Sequence, residues 1–236
     1  MAGAAPEISV GVVIPAAGSG ERLGGLQKQF RLLGESPLLV HTATNFQKHS
    51  EISTIVVVVP EAEIEPVSEL VKDFGLDKIL RVVAGGSTRQ ESVRKGLCAL
   101  PANTRLVITH DAVRPFVSTD EVSRLIAETR RSGAAAIAAP VSDTLVRLTA
   151  GSVGETVSRD GLFRVLTPQA FRYDILRRAH DLAAASSSVY TDEVTLVRAA
   201  GNRVTLVEGS AINIKITTKS DWDLAEWIWP SWRNRK

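Results

Sequence analysis

The sequence predicts an α/β fold: three layers, Rossmann-like, with a mainly parallel sheet and a protruding β-ribbon arm used in dimerisation. Three observations point there. Uninterrupted β-branched and apolar runs recur along the chain, as expected of strands covered on both faces. Between them lie segments of helical periodicity with helix-start signals, so strand and helix alternate. One stretch, 143–165, breaks this rhythm with polar and apolar residues in alternation.

Taken in order, the first strand is SVGVVI (9–14). Ser36, with Pro37 at the first turn, predicts the start of a helix. TIVVVV (54–59) and ILRVVA (79–84) read as further strands. Ser87, with Gln90 and Glu91 behind it, predicts the next helix start. RLVITH (105–110) is a strand, and Ser118 with Glu121 three residues on begins a helix whose Val122, Leu125 and Ile126 share one face. AAAIAAPV (134–141) closes the run of buried strands. In the arm, TLVRLTA and ETVSRDG flank a turn marked by Gly151 and Gly154. A ribbon standing off a sheet exposes strand edges that a symmetric dimer can cover, so a homodimer is expected. After it come a helix over 173–185, a serine-rich turn at 186–188, a helix from Asp192, strands VTLVEG (204–209) and INIKIT (212–217), and a last helix from Ser220 with Asp223 as its box partner.

The 236 residues are 44% hydrophobic and 23% charged, which suits one compact domain over 1–236. The formal charge of +2 is too small for sequence-independent binding of a polynucleotide, so no nucleic-acid partner is expected. Cys98, the one cysteine, sits in GLCAL; it permits neither a disulfide framework nor a thiolate metal site within one chain, and a buried structural thiol is expected. The four histidines lack metal-ligand spacing, and no residue is assigned to a metal. The amino-terminal apolar run has no basic region before it and is broken by Gly11 and Pro15, so neither a membrane span nor a signal is expected. The expected location is cytoplasmic.

The first strand runs into PAAGSGERLG (15–24), a glycine-rich turn at the carboxyl end of a parallel strand, where such sheets bind ligands. Ala16, Ala17, Gly18, Ser19 and Gly20 allow backbone N–H groups close to a triphosphate. There is neither a GxGxxG nor a Lys-Ser/Thr after the glycines, which disfavours a dinucleotide oxidoreductase and a P-loop. Arg22 and Lys28 follow, two cations able to fold over phosphates and to stabilise charge on a phosphoryl group under attack; a solvated basic turn reads the same way. GGSTRQES (85–92) offers Gly85, Gly86 and Ser92 to a base, or is a plain strand-to-helix turn. In THDAVRP (109–115), Asp111 suits ribose hydroxyls or a Mg²⁺ water, and Arg114 an anionic substrate, while His110 reads as structural. Thr144, Arg159, Thr167 and Lys215 complete the set. Lys215, between Ile214 and Ile216, points either outward or towards a phosphate, and alternation does not choose.

VIPAAGSGERLG, KQF, GGSTRQESV, HDAVRP, LTPQAF, YTDE and NIKIT, in that order over nearly the whole chain, resemble the 2-C-methyl-D-erythritol 4-phosphate cytidylyltransferase family. The resemblance implies reaction of CTP with 2-C-methyl-D-erythritol 4-phosphate, giving the CDP-linked polyol and pyrophosphate in non-mevalonate isoprenoid synthesis, with Mg²⁺ bound mainly through the CTP phosphates. It implies that Arg22 and Lys28 stabilise the pentacoordinate phosphorus and that Arg159 and Lys215 position the substrate phosphate. It gives CTP to Pro15, Ala16, Ala17, Gly18, Gly20, Gly85, Gly86, Ser92, Asp111 and Ala112, and the polyol pocket to Arg114, Thr144 and Thr167. It also implies that the arm crosses to the partner, so that Arg114, Thr144 and Arg159 serve the other chain's CTP. Two departures stand out: Gln27 where the family commonly has proline, and Ile212 in place of an acidic residue before NIK. Trp222, Trp227, Trp229 and Trp232 read as helix packing or a terminal apolar surface. The rivals are a cytidylyltransferase for another polyol phosphate such as ribitol 5-phosphate, a non-catalytic nucleotide-binding regulator, and a transferase using GTP or ATP.

Overall fold

The structure is a computed structural model that describes residues 9–18 and 27–234. Seven strands make one sheet: β1 (Val10–Pro15), β4 (Ile52–Val59), β5 (Ile79–Ala84), β6 (Leu106–Thr109), β7 (Ala134–Pro140), β10 (Phe163–Arg172) and β11 (Thr205–Glu208), in the order β11-β7-β10-β6-β1-β4-β5. β1 is parallel to β4 and β6, β4 to β5, and β7 to β11. β10 alone runs antiparallel, between β6 and β7. Strand pleating sends Val12 and Ile14 to one face and Val13 to the other, and the two faces carry separate cores.

One face is covered by α1 (Leu38–Gln47), α2 (Ile64–Asp73) and α4 (Thr119–Ser132), through Phe46, Val67, Leu125 and Ile126. The other carries α3 (Arg89–Ala99), α5 (Tyr173–Ala185) and α6 (Glu193–Ala199), through Leu97, Leu176 and Leu196. α3 lies close to the sheet because Gly96 leaves no Cβ; one placed there would come within 2.5 Å of Val13. A third cluster joins β2 (Leu32–Leu33), which pairs with β3 (Ser36–Pro37), to α7 (Lys219–Arg233) through Leu33, Phe116, Ile216, Trp222 and Trp232. Trp222 and Trp232 are packing residues there, whereas Trp227 is exposed. Among the described residues, no helix is long and apolar enough to cross a membrane.

The expected elements need six corrections. The arm is β8 (Leu145–Thr149) with β9 (Ser152–Val157), and the chain from Phe163 leaves it for the main sheet, because LTPQAF is buried between β6 and β7. Ser36 pairs in the short hairpin, and α1 starts only after Pro37. Thr88, not Ser87, caps α3: its hydroxyl accepts from Glu91 N, while Ser87 donates to the Glu91 carboxylate. The last helix begins two residues early, with a complete capping box between Thr218 and Asp221. INIKIT is irregular, held by side-chain tethers described below. Cys98 is exposed, because α3 buries Val93, Gly96 and Leu97 and the next residue lies about 100° further round the helix.

Candidate active site

The carboxyl ends of β6, β1 and β5 lie at one edge of the sheet, with β4 between β1 and β5, and the segments that follow them enclose a cleft of about 390 Å³. Pro15, Ala16, Ala17 and Gly18 form one wall, and Gly86 and Ser92 contribute another. Asp111 and Ala112 lie at the end of β6, and Lys28 and Lys215 reach in from distant parts of the chain. Gly20 and Arg22 lie outside the described residues.

Asp111 organises the charges. Its Oδ1 is 3.2 Å from Arg89 Nε, and its Oδ2 is 3.0 Å from Lys215 Nζ and 3.4 Å from Arg114 Nε. Burial favours the neutral acid, but Arg89, Lys215 and Arg114 outweigh it and hold the carboxyl well below the usual carboxylate range. Arg89 in turn donates from Nη1 to both oxygens of the buried Glu193, at 3.0 and 2.9 Å. Burial works against the Arg89 charge, yet the two carboxylates keep the guanidinium firmly protonated.

Lys215 is carried to the cleft by an irregular segment with three tethers. Asn213 Nδ2 donates to Thr167 O at 2.8 Å, Arg114 Nη1 donates to Asn213 O at 2.8 Å, and Ile216 N donates to Val113 O at 3.0 Å. Ile216 is buried against Trp222. Lys215 therefore points inward.

Arg114 and Thr167 lie beneath the cleft rather than in it. Both are buried, and Thr167 Oγ1 accepts from Asp111 N at 3.1 Å, fixing the backbone that carries the carboxylate. His110 is fully buried, and its Nε2 donates to Arg114 O at 2.9 Å. Burial pushes its pKa down to about 4, so it is neutral at pH 7. Thr144 and Arg159 are exposed at the base and end of the arm, away from the cleft; Arg159 Nη1 donates to Ser142 O.

The turn after β5 packs tightly. A Cβ on Gly85 would come within 2.5 Å of Ala17 and 2.9 Å of Ser92 Oγ, so only glycine lets the two walls meet. Ser92 Oγ accepts from Gly86 N at 3.1 Å and donates its one proton to Thr88 O at 2.9 Å. Towards a ligand this hydroxyl can only accept.

Comparison with known proteins decides the family. The family model for 2-C-methyl-D-erythritol 4-phosphate cytidylyltransferase matches residues 10–231. The chain belongs to this family. It is 46% identical over 223 residues to the enzyme so named from Salinibacter ruber, covering 94% of each chain. It is 44% identical over 217 residues to that of Desulforamulus reducens, covering 91% of this chain and 93% of the other. The fold matches the crystal structure of 4-diphosphocytidyl-2C-methyl-D-erythritol synthase from Anaerococcus prevotii, with a TM-score of 0.84, 29% identity and coverage of 95% and 97%. The Thermus thermophilus cytidylyltransferase aligns with a TM-score of 0.79 and 34% identity over 92% of this chain and 98% of the other. The family is one of nucleotidyltransferases, and the cleft is where such a fold places its ligand.

Four residues of the site escaped the sequence reading: Arg89, Glu193, Asn213 and Gln29. Arg89 and Glu193 sit in GGSTRQES and YTDE, and a cation in one motif with an acid in the other was the available signal. Nothing local marks Asn213 or Gln29 as more than polar neighbours of a lysine. For a metal, no group of three or more His, Cys, Asp or Glu suitable as ligands occurs among the described residues, and Asp111 is the carboxylate in the cleft. One carboxylate in the cleft fits Mg²⁺, which commonly takes one or two protein oxygens and the rest from phosphates and water.

Proposed function

We propose that this chain transfers the cytidylyl group of CTP to 2-C-methyl-D-erythritol 4-phosphate, giving 4-diphosphocytidyl-2-C-methyl-D-erythritol and pyrophosphate in the non-mevalonate isoprenoid route. The observation that carries this reading is the cleft itself: Lys28, Arg89 and Lys215 meet there beside a small-residue turn, with Asp111 between them.

The substrate phosphate is already an anionic nucleophile near neutral pH, its second pKa being about 6, so no general base is required. One of its oxygens attacks the α-phosphorus, and the bond to the pyrophosphate oxygen breaks. The difficulty is bringing two polyanions together and stabilising the charge on the equatorial oxygens, which is work for placed cations. Lys28 and Lys215 take that role, with Arg22 assigned by its motif. Arg89 and Arg114 hold Asp111 against burial. With Arg89 on Oδ1 and Lys215 and Arg114 on Oδ2, Asp111 has room for one further partner, a ribose hydroxyl or a Mg²⁺ water, and Mg²⁺ when bound would supply further charge neutralisation at the phosphates.

Ser92 supports a choice of base. Because its proton is committed to Thr88 O, its oxygen favours a pyrimidine presenting an amine over one presenting a carbonyl, cytosine over uracil. Arg159 and Thr144 serve the substrate phosphate and polyol from the arm of a partner in a homodimer, since on their own chain they lie away from the cleft. The location is cytoplasmic.

The test is pyrophosphate release from CTP and Mg²⁺ with methylerythritol phosphate, with ribitol 5-phosphate, and with no acceptor. Release with methylerythritol phosphate is expected. Release with ribitol phosphate alone, or with neither, overturns the reading.

A further inference from the structure

Lys28 lies between two glutamines whose side chains form a relay that the mechanism above does not use. Gln29 is 2% exposed, and it lines the cleft beside Lys28. Its Nε2 donates to Ala16 O at 2.7 Å and to Gln27 Oε1 at 3.0 Å, with a weaker contact to Gly18 O at 3.5 Å. Gln27 Nε2 then donates to Glu63 Oε1 at 3.1 Å. Ala16 O at one end and the Glu63 carboxylate at the other can only accept, so both amides are fixed in direction.

The relay has an electrostatic consequence. A peptide carbonyl turned towards a polyphosphate repels it, whereas a peptide N–H attracts it. Anchoring the Ala16 carbonyl on the carboxamide keeps it off the ligand. It also ties that backbone to the residue next to Lys28, so the backbone and the cation are pre-set together rather than ordered at the cost of binding energy.

We propose that Gln29 is a positioning residue for the nucleotide: it locks the backbone at Ala16, just after β1, and Lys28 into one unit, with Gln27 and Glu63 as its outer support. This rests on the cleft being the CTP site.

Gln29→Met keeps length and burial but removes the donor. Loss of one placed hydrogen bond weakens binding by roughly tenfold. The expected result is a KM for CTP raised about tenfold with the KM for methylerythritol phosphate changed by less than about twofold. Gln29→Glu sets an acceptor against two carbonyls, and the rise is expected to be larger. The CTP-induced increase in Tm, measured without acceptor, reads binding independently of turnover and is expected to shrink in both variants. A wild type with a CTP-induced shift but no turnover would sink the transfer reading and leave this inference testable. Should Gln29→Met not fold, Gln27→Ala removes only the outer link, and a rise of about threefold in the KM for CTP is expected. Wild-type affinity for CTP in Gln29→Met, or in Gln27→Ala if the first is unfolded, overturns the proposal. So does an equal loss for both substrates with a lowered Tm, which would assign Gln29 to general stability.

Discussion

Replacing Asp111 by asparagine removes one charge from beneath three cations, and the structure says how the loss divides. Arg89 keeps both oxygens of Glu193 and is little affected. Lys215, whose side chain is 42% exposed, can swing into water. Arg114 cannot: its side chain is 11% exposed, and its remaining bond runs from Nη1 to Asn213 O. One buried cation is therefore stranded. Removing one partner of a buried pair costs about 3–5 kcal/mol, and a single stranded group with the amide oxygen still accepting belongs at the low end, about 3 kcal/mol. The functional loss is separate, because Lys215 no longer has an anchor in the cleft; turnover is expected to fall by about 10²-fold, the scale for a lost transition-state donor. Urea unfolding at pH 7 measures the first number, and pyrophosphate release at saturating substrates measures the second. Stability within about 0.5 kcal/mol of wild type, together with unchanged turnover, would refute the view that Asp111 organises the site.

Lys215→Ala is expected to lower turnover by ~10²-fold or more with little change in Tm, since the lysine is half exposed and its segment keeps its tethers; near-normal turnover would remove it from the chemistry. Ser92→Ala is expected to cut the preference for CTP over UTP about tenfold, the worth of one buried hydrogen bond, read as a ratio of kcat/KM values. Mixed dimers of Arg159→Glu and Arg22→Ala chains are expected to recover activity that neither has alone; no recovery from verified heterodimers would count against arms shared between subunits. His180 is buried with neither ring nitrogen hydrogen-bonded, and burial pushes its pKa down to about 4. The unfolded state therefore takes up the proton first, and stability complete above about pH 6.5 is lost as pH falls towards 4, by about 2 kcal/mol between pH 7 and 5 for one such histidine. His180→Leu is expected to lose about that much less than wild type over the same interval, by urea unfolding at both pH values.

What the sequence determined by itself was the set of local signals. Runs such as TIVVVV and RLVITH are apolar on both faces and have no other place than inside a sheet, so the layered fold was legible. The glycine-rich turn, GGSTRQES and HDAVRP announced themselves by residue types suited to phosphates and hydroxyls, and Pro15 to Gly18 of the first, with residues of the other two, reach one cleft because each segment follows a strand end. Tertiary structure decided whatever depended on a partner far along the chain. The direction of Lys215 is set by Thr167, Arg114 and Val113, none of which its own alternation can sense. The antiparallel placement of β10 is visible only in its pairing with β6 and β7, not in its composition. Arg89 with Glu193, and Gln29 with Ala16, are pairs whose meaning lies in distances of about 3 Å across separate elements. Hydrogen bonds and ion pairs act only at such range, so sequence names the candidates and the folded chain selects among them.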